Sequence, residues 1–170
     1  MTQDRPTAHL IKTGNYFADG VNNIVEILER EQREDTEQKL TYLNGVLKIH
    51  DEDILLIPKT PCIAVSFEGF EEIIHTIGKR QVTVETTLLI NTYYYHQEIS
   101  REIRKKEIRD AMWELARILR RNSDLNGLSS KGAQIPSGEV MSRLRQNGAF
   151  SGGLIRMQVP ILHQSRRGVS

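Results

Sequence analysis

The segment NSDLNGLSSKGA carries side chains whose spacing resembles that of a metal site. Asn122, Asp124 and Asn126 occupy positions 1, 3 and 5 of a calcium-binding EF-hand loop, and Gly127 follows at position 6. Position 12, which supplies a bidentate carboxylate in such loops, is Ala133, so only one formal negative charge remains for a divalent cation. We therefore interpret the segment as a helix end at which Gly127 adopts a left-handed conformation.

Other residue types that hold metals or perform catalysis are present but scattered. The five histidines show no spacing typical of metal ligands: His9, His50, His75, His96 and His163. The glycines of NGAFSGG precede a predicted strand and not a helix, which argues against a phosphate-binding loop. The acidic pairs Asp51/Asp53 and Glu71/Glu72 lie in polar segments and are interpreted as solvated turn residues. We expect no enzyme activity, no metal and no cofactor.

The predicted helix SREIRKKEIRDAMWELARILRRN has a dense group of cations on its outward side. They are Arg101, Arg104, Lys105, Lys106 and Arg109. Glu102, Glu107 and Asp110 interrupt them, whereas a dedicated nucleic-acid surface is more uniform in sign. The pattern therefore favours a solvated helix face with i,i+4 ion pairs over DNA binding. Trp113 lies beside the apolar stripe of this helix, and we expect it to pack at the edge of that stripe.

The net charge of +1 conceals an uneven distribution along the 170 residues. Residues 1–77 hold 14 acidic and 7 basic side chains, and residues 78–170 hold 8 acidic and 16 basic ones. Three interpretations stay open: a basic surface for a polyanion such as DNA, complementary surfaces of neighbouring copies in a ring, and solvated surfaces without a partner.

Size and composition are typical of one soluble domain over residues 1–170. No apolar segment of a secretory signal opens the chain, and no run of about 18 apolar residues predicts a membrane span. A single cysteine, Cys62, excludes an intrachain disulfide and fits a reducing compartment. We expect a flexible N-terminal arm over residues 1–15, an α+β core over 16–162 and a mobile basic tail over 163–170.

The elements that must position these side chains follow from periodicity. The predicted order is a helix from Phe17, a short strand at DILLIP, a strand at PCIAVSFEGF, a long strand over residues 81–96, the helix described above, a short strand at GEVMSRL and a last strand at LIRMQVPIL. Strands in neighbouring runs with only two main helices predict an α+β fold: a mixed, mostly antiparallel sheet of four to five strands flanked by the helices.

The strand QVTVETTLLINTYYYHQE has apolar residues on both sides. Val82, Val84, Leu88, Ile90 and Tyr94 fall on one side, and Leu89, Tyr93 and Tyr95 on the other. Sixteen residues at about 3.3 Å each span about 50 Å, more than a domain of this size needs. We therefore expect one end to project as a hairpin arm together with the preceding FEGFEEIIHTIGKRQ.

The order of an N-terminal helix, the strand PCIAVSFEG, a long strand after IGKRQ, the helix IRDAMWELARIL, a glycine-rich segment and a final GGLIRMQVPI strand resembles the tail terminator (tail completion) proteins of tailed bacteriophages. The resemblance covers roughly residues 17–162 and includes no catalytic motif. It implies a subunit with a sheet flanked by helices that assembles as a hexameric ring, ends the tail tube and joins it to the neck and head.

The resemblance also implies partners and a location. The partners are other copies of the chain, the tail tube protein, a neck or head-completion protein and the sheath protein where the tail has one, with DNA only as cargo passing through the lumen. The location is the virion, after assembly in the host cytoplasm. Another neck or head-completion ring protein is the first alternative, and a nucleic-acid-associated binding module is the second.

In such a ring we expect the two-sided strand and basic side chains to form the interface between copies, because aromatic residues and arginine are enriched in interfaces. The residues predicted for it are Leu89, Tyr93, Tyr95, Arg101, Arg104 and Arg156.

Overall fold

The structure is a computed structural model that describes residues 9–34, 40–53, 59–77, 81–97, 101–145 and 148–166. For residues 76–77, 81, 101–104, 142–145, 148–150 and 164–166 the description covers the backbone only. The elements in chain order are α1 (Tyr16–Arg33), α2 (Thr41–Asn44), β1 (Lys48–His50), β2 (Cys62–Ile77), β3 (Gln81–His96), α3 (Arg101–Arg121), β4 (Gln134–Arg145) and β5 (Gly148–Arg166).

The strands form one five-stranded sheet in the order β1-β2-β3-β5-β4. The short β1 runs parallel to the start of β2, and all other neighbours are antiparallel. The predicted α+β fold with a mixed sheet and flanking helices is confirmed. Residues 54–58 of the segment DILLIP lie outside the described residues, while α2 and β1 were not predicted.

The two sides of the sheet have different coverings. The side that we call the helix face packs against α1 and α3 and contributes Ile63, Val65, Leu88, Ile90, Tyr94, Ile155, Met157 and Val159 to the main core. Gly20 of α1 lies so close to this face that an added Cβ would be 2.7 Å from Leu88 and 2.8 Å from Ile90. The opposite side, which we call the far face, carries a second buried cluster of Cys62, Ala64, Tyr93, Tyr95 and Leu154. The predicted division of β3 into two apolar sides is therefore confirmed.

A β-bulge interrupts β2 at Glu68. Phe67 pairs with Ile90 and Gly69 pairs with Leu89, so Glu68 is an extra residue in the ladder. As a result, Phe67 and Phe70 lie on the same face although they are three residues apart. The ring of Phe17 in α1 stacks on both, with centroid distances of 4.7 Å and 4.8 Å.

The bulge divides the β2–β3 hairpin into two parts. The proximal part, Cys62–Phe67 with Ile90–His96, lies in the centre of the domain. The distal part, Gly69–Ile77 with Gln81–Leu89, continues away from the bulge beside the end of β5. We call this distal part the arm; it corresponds to the hairpin arm that the sequence predicts.

The described residues of both predicted flexible segments make ordered contacts, while residues 1–8 and 167–170 lie outside the described residues. Within residues 9–15, the Ile11 N–H donates to Asn23 Oδ1 at 3.0 Å, and the Thr13 hydroxyl donates to Asp19 Oδ1 at 2.6 Å. At the other end, β5 continues to Arg166, beyond the predicted start of the tail at residue 163. No helix in the described ranges is both long enough and apolar enough to cross a membrane.

Candidate functional site: an assembly surface

The predicted interface residues fall into two groups. Leu89, Tyr93, Tyr95 and Arg156 share the far face, because Tyr93 pairs with Leu154, two residues before Arg156, and Leu89 lies four residues before Tyr93 on the same strand. Arg101 and Arg104 lie instead in the first turn of α3, and their side chains are outside what the structure describes. The sequence pattern therefore predicted a single interface, but the fold places these residues on two separate surfaces.

Tyr93 and Tyr95 are buried within the single chain. Tyr95 is 1% exposed, and its hydroxyl donates to Asp53 Oδ1 at 2.9 Å. Tyr93 donates to Glu68 Oε1 at 3.3 Å, and the two tyrosine rings are parallel with centroids 5.7 Å apart. These side chains belong to the core of one subunit, so we do not include them in the surface proposed below.

Arg156 is engaged across the far face between two strands. Its Nη2 donates to Glu139 Oε1 at 2.8 Å and its Nη1 to Ser137 Oγ at 3.4 Å. Both partners lie on β4, so this arginine ties β5 to the neighbouring edge strand. Leu89, on the same face, is half-buried.

The arm exposes apolar side chains on both of its faces. Phe70 and Ile74 lie on the helix face and are 46% and 64% exposed, while Ile73 lies on the far face and is 56% exposed. Leu162 of β5 is on the far face too, because both it and Ile73 pair with Glu85. Its side chain is also exposed. Isolated exposed apolar residues are normal, but a contiguous group marks an interaction site.

Acidic side chains accompany these apolar residues. Glu68, Glu71 and Glu72 are exposed along the same stretch of β2. Glu71 points to the far face and Glu72 to the helix face, since they pair with Thr87 and Thr86. The first part of the arm therefore presents an acidic and apolar surface.

The outer side of α3 has the opposite charge. Its exposed side chains, among those described, are Lys105, Lys106, Arg109, Trp113 and Arg120. Trp113 is 69% exposed, which corrects the expectation that it packs at the edge of the apolar stripe. The cationic and anionic residues that are mixed along the sequence of this helix therefore lie on different sides of it in the fold.

The described acidic residues of α3 point away from that outer side, toward α2 and the end of β3. Glu107 Oε2 is 2.7 Å from His96 Nε2, and Asp110 Oδ2 accepts a hydrogen bond from the Tyr42 hydroxyl at 3.3 Å. Glu114 accepts from the Tyr42 backbone N–H at 2.8 Å and is buried. This burial raises the pKa of the Glu114 carboxyl, against the opposing effect of backbone N–H donors from α2.

A groove runs between α3 and β4. Lys105, Lys106 and Arg109 line it from the helix, and Val140 lines it from the helix face of β4. Val140 is 57% exposed, and β4 is the last strand of the sheet, so the groove is open at its side. Arg109 also donates through Nε to Asp110 Oδ1 at 3.1 Å. The groove thus combines three cations with an apolar floor.

The segment that resembles a calcium loop is occupied with packing against α1. Asn126 Nδ2 donates to Glu26 Oε2 at 2.8 Å, and Arg30 Nη1 donates to Asn126 Oδ1 at 2.9 Å. Gly127 has φ +96°, which confirms the predicted helix end. Within the described ranges, no three residues among the histidines, cysteines, aspartates and glutamates are arranged to hold a metal.

Two groups with catalytic potential, the Cys62 thiol and the Thr86 hydroxyl, are buried. Burial raises the pKa of the Cys62 thiol to about 11, which disfavours the nucleophilic thiolate. Thr86 Oγ1 lies 2.9 Å from His163 Nε2, the arrangement of a hydroxyl and a base, but Thr86 is buried within the sheet.

Sequence reasoning foresaw the arm but missed the residues that it exposes and the cationic groove. The available signal was FEGFEEII, in which apolar residues recur without strict alternation, as a strand with a bulge requires.

No protein-family model matches the chain, and a search of curated proteins finds no relative.

Proposed function

We propose that this protein is a virion structural protein of a tailed bacteriophage, whose copies form a ring of six that ends the tail tube and joins it to the neck and head. The observation that carries the proposal is the arm, on which Phe70, Ile73 and Ile74 are exposed together.

An arm of this kind fits a subunit that is completed by its neighbours. Burying an aliphatic side chain stabilises a protein by roughly 1.5–3 kcal/mol, and Ile73 and Ile74 of the arm do not obtain the full stabilisation within the single chain. Because Ile73 and Ile74 point to opposite faces, a partner must contact the arm from both sides. Neighbouring subunits in a closed ring, or a tube end below it, provide such surroundings.

The order of elements supports the choice of family. The observed α1, β2, β3, α3 and β5 follow the order on which the resemblance to tail terminator proteins rests, and β4 lies where that order has a glycine-rich segment. Under this proposal the partners are other copies of the chain, the tail tube protein and a neck or head-completion protein, and DNA passes through the lumen. The protein is then located in the virion and has no catalytic role.

The experiment that tests the proposal is electron microscopy of the purified protein together with native mass spectrometry. We expect closed rings with a mass of six subunits. The double substitution Ile73→Ser/Ile74→Ser should abolish the rings without lowering the melting temperature of the subunit. Leu47→Ser is the matched control, because Leu47 is also an exposed aliphatic residue but lies next to β1, away from the arm. A protein that stays monomeric at all concentrations would contradict the proposal.

A binding experiment distinguishes a tail terminator from a head-completion protein. A tail terminator should bind isolated tail tubes and prevent their further growth, whereas a head-completion protein should bind DNA-filled heads in the absence of tails. Binding to heads alone would move the assignment to the head side of the neck.

A second candidate function is nucleic-acid binding, and the outer side of α3 is the observation that favours it. Lysine and arginine neutralise phosphates, and an exposed tryptophan such as Trp113 stacks on unpaired bases. A filter-binding titration at low salt tests this function. Affinity that falls steeply with salt and is lost in Trp113→Ala would support it, and no retention at low salt would exclude it.

A further inference from the structure

The acidic arm and the cationic groove lie at opposite ends of the sheet. Glu72 is level with Ile161 of β5, through Thr86 of β3, and Val140 is level with Gly153 of β5. Eight residues of β5 separate these two levels, or about 26 Å at about 3.3 Å per residue. One subunit therefore cannot close this arm into its own groove without refolding.

The two surfaces also match in chemistry. The arm offers carboxylates beside exposed aliphatic and aromatic groups: Glu71, Glu72, Phe70, Ile73 and Ile74. The groove offers ammonium and guanidinium groups beside Val140, with Trp113 exposed on the same helix. Each surface supplies an apolar contact and a charge of the sign that the other lacks, which is the combination that sets register and orientation in interfaces.

We propose that the arm of one copy docks in the α3–β4 groove of the next copy, head to tail. The contact is heterologous, since it uses two different surfaces of the same chain, and heterologous contacts produce closed rings when the rotation between copies closes. This inference rests on the proposed ring function and specifies which two surfaces of each subunit form the ring.

A second copy of the chain fits this groove better than DNA does. Docking of the arm would cover apolar residues on both partners at once, including Val140, whereas a phosphate backbone would leave Val140 and the arm exposed. The two charge surfaces of a single sequence would then neutralise each other within the assembly.

The test is a charge exchange between two variants. The arm variant is Glu71→Lys/Glu72→Lys, and the groove variant is Lys105→Glu/Lys106→Glu. All four side chains are exposed, so we expect both variants to keep the melting temperature of the wild type. Alone, each variant would bring like charges together at every contact, and we expect at least a tenfold rise in the dissociation constant of the ring, measured by sedimentation velocity.

Mixing the two variants should restore the rings. In an alternating ring, a reversed arm always meets a reversed groove, and a normal arm always meets a normal groove. Native mass spectrometry should therefore detect rings with equal numbers of both variants. Lys48→Glu/Arg120→Glu is the control with the same change in charge at two exposed positions outside the groove, and it should assemble as the wild type does.

The other outcomes overturn the inference in distinguishable ways. If the wild type forms rings and both variants form them equally well, the ring function stands and this pairing of surfaces is wrong. If each variant fails alone and the mixture also fails, the two surfaces do not meet. If the groove variant assembles normally but loses DNA retention, the groove binds nucleic acid. A wild type that never assembles removes the ring function and this inference together.

Discussion

The two parts of the β2–β3 hairpin have similar side chains and opposite surroundings. In the proximal part, Ile63 and Val65 are fully buried beneath α1 and α3. In the arm, Ile73 and Ile74 belong to the same strand and are more than half exposed. Ile63 and Val65 thus stabilise the folded subunit, while Ile73 and Ile74 remain available for contact with another surface.

This difference separates folding from assembly within one strand. The proximal part gains the free energy of apolar burial when a single chain folds, at about 25 cal/mol for each Å² removed from water. The exposed side chains of the arm, Phe70, Ile73 and Ile74, can gain it only when a partner arrives. Substitutions of buried side chains in the proximal part should therefore change the unfolding free energy, and substitutions of the exposed Ile73 and Ile74 in the arm should change association alone.

The largest expected effect is at Tyr95, in the proximal part. Tyr95→Ala removes a buried ring and its hydrogen bond to Asp53, and we expect a loss of about 3–5 kcal/mol in unfolding free energy by urea denaturation. Ile73→Ala is the counterpart in the arm and should change it by less than about 0.5 kcal/mol. Equal losses in both variants would remove the distinction between the two parts.

The next effect concerns the close approach of β5 to β3. A Cβ added at Gly152 would lie 2.6 Å from the Tyr94 carbonyl oxygen, which is backbone and cannot rotate away. We expect Gly152→Ala to lower the unfolding free energy by about 1–3 kcal/mol. Gly45→Ala is the control: its added Cβ would be no closer than 3.5 Å to any other atom, and its φ is −81°. A stable Gly152→Ala protein would show that the proximal part is less tightly packed than described.

The boundary between the two parts is tested at Gly69. Its backbone φ of +154° is one that residues other than glycine rarely adopt, although an added Cβ would meet no atom within 4 Å. Gly69→Ala should therefore cost about 1 kcal/mol through backbone strain alone. We expect hydrogen exchange to rise in the arm and to stay slow in β2 before the bulge. Faster exchange throughout β2 would show that the two parts unfold as one unit.

The smallest effect is a change with pH that belongs to the packed region. The raised pKa of Glu114 means that the native state binds its proton more tightly than the unfolded state does. Its contribution to stability is greatest below pH 4.5, the ordinary value for this carboxyl, and is lost as the pH rises through the raised native value. Glu114→Gln cannot ionise, so its unfolding free energy relative to wild type should increase from acid to neutral pH. Parallel stability curves for the two proteins would contradict this assignment.

Periodicity predicted the elements that depend on local pattern. Alternation in QVTVETTLLINTYYYHQE gave both faces of β3, and the spacing of Ile108, Ala111 and Leu115 gave the buried stripe of α3. Asn15 stands directly before α1, and its Oδ1 accepts from the backbone N–H groups of Phe17 and Ala18. In each case the residues that decide the structure are neighbours in sequence.

The features that sequence reasoning missed depend on distant contacts. The single turn α2 has no capping side chain of its own, and Glu114, about 70 residues later, accepts from its backbone instead. The direction of the acidic side chains on α3 is fixed by Tyr42 and His96, which only the fold brings near. The sequence of that helix alternates between cations and anions, whereas the folded helix exposes cations on its outer side.

The bulge at Glu68 changes which residue numbers of β2, odd or even, point to the helix face. On the helix face the strand uses odd positions up to Phe67 and even positions from Phe70, so the parity of the strand changes once. Since Glu68 is the unpaired residue, its deletion would leave every remaining pair and every face as they are. Deletion of any single residue farther along the arm would instead turn the segment beyond it over. The pairing of the arm therefore tolerates the deletion of Glu68, at its boundary, whereas the deletion of one residue within the β2 part of the arm would reverse the faces of all residues beyond it.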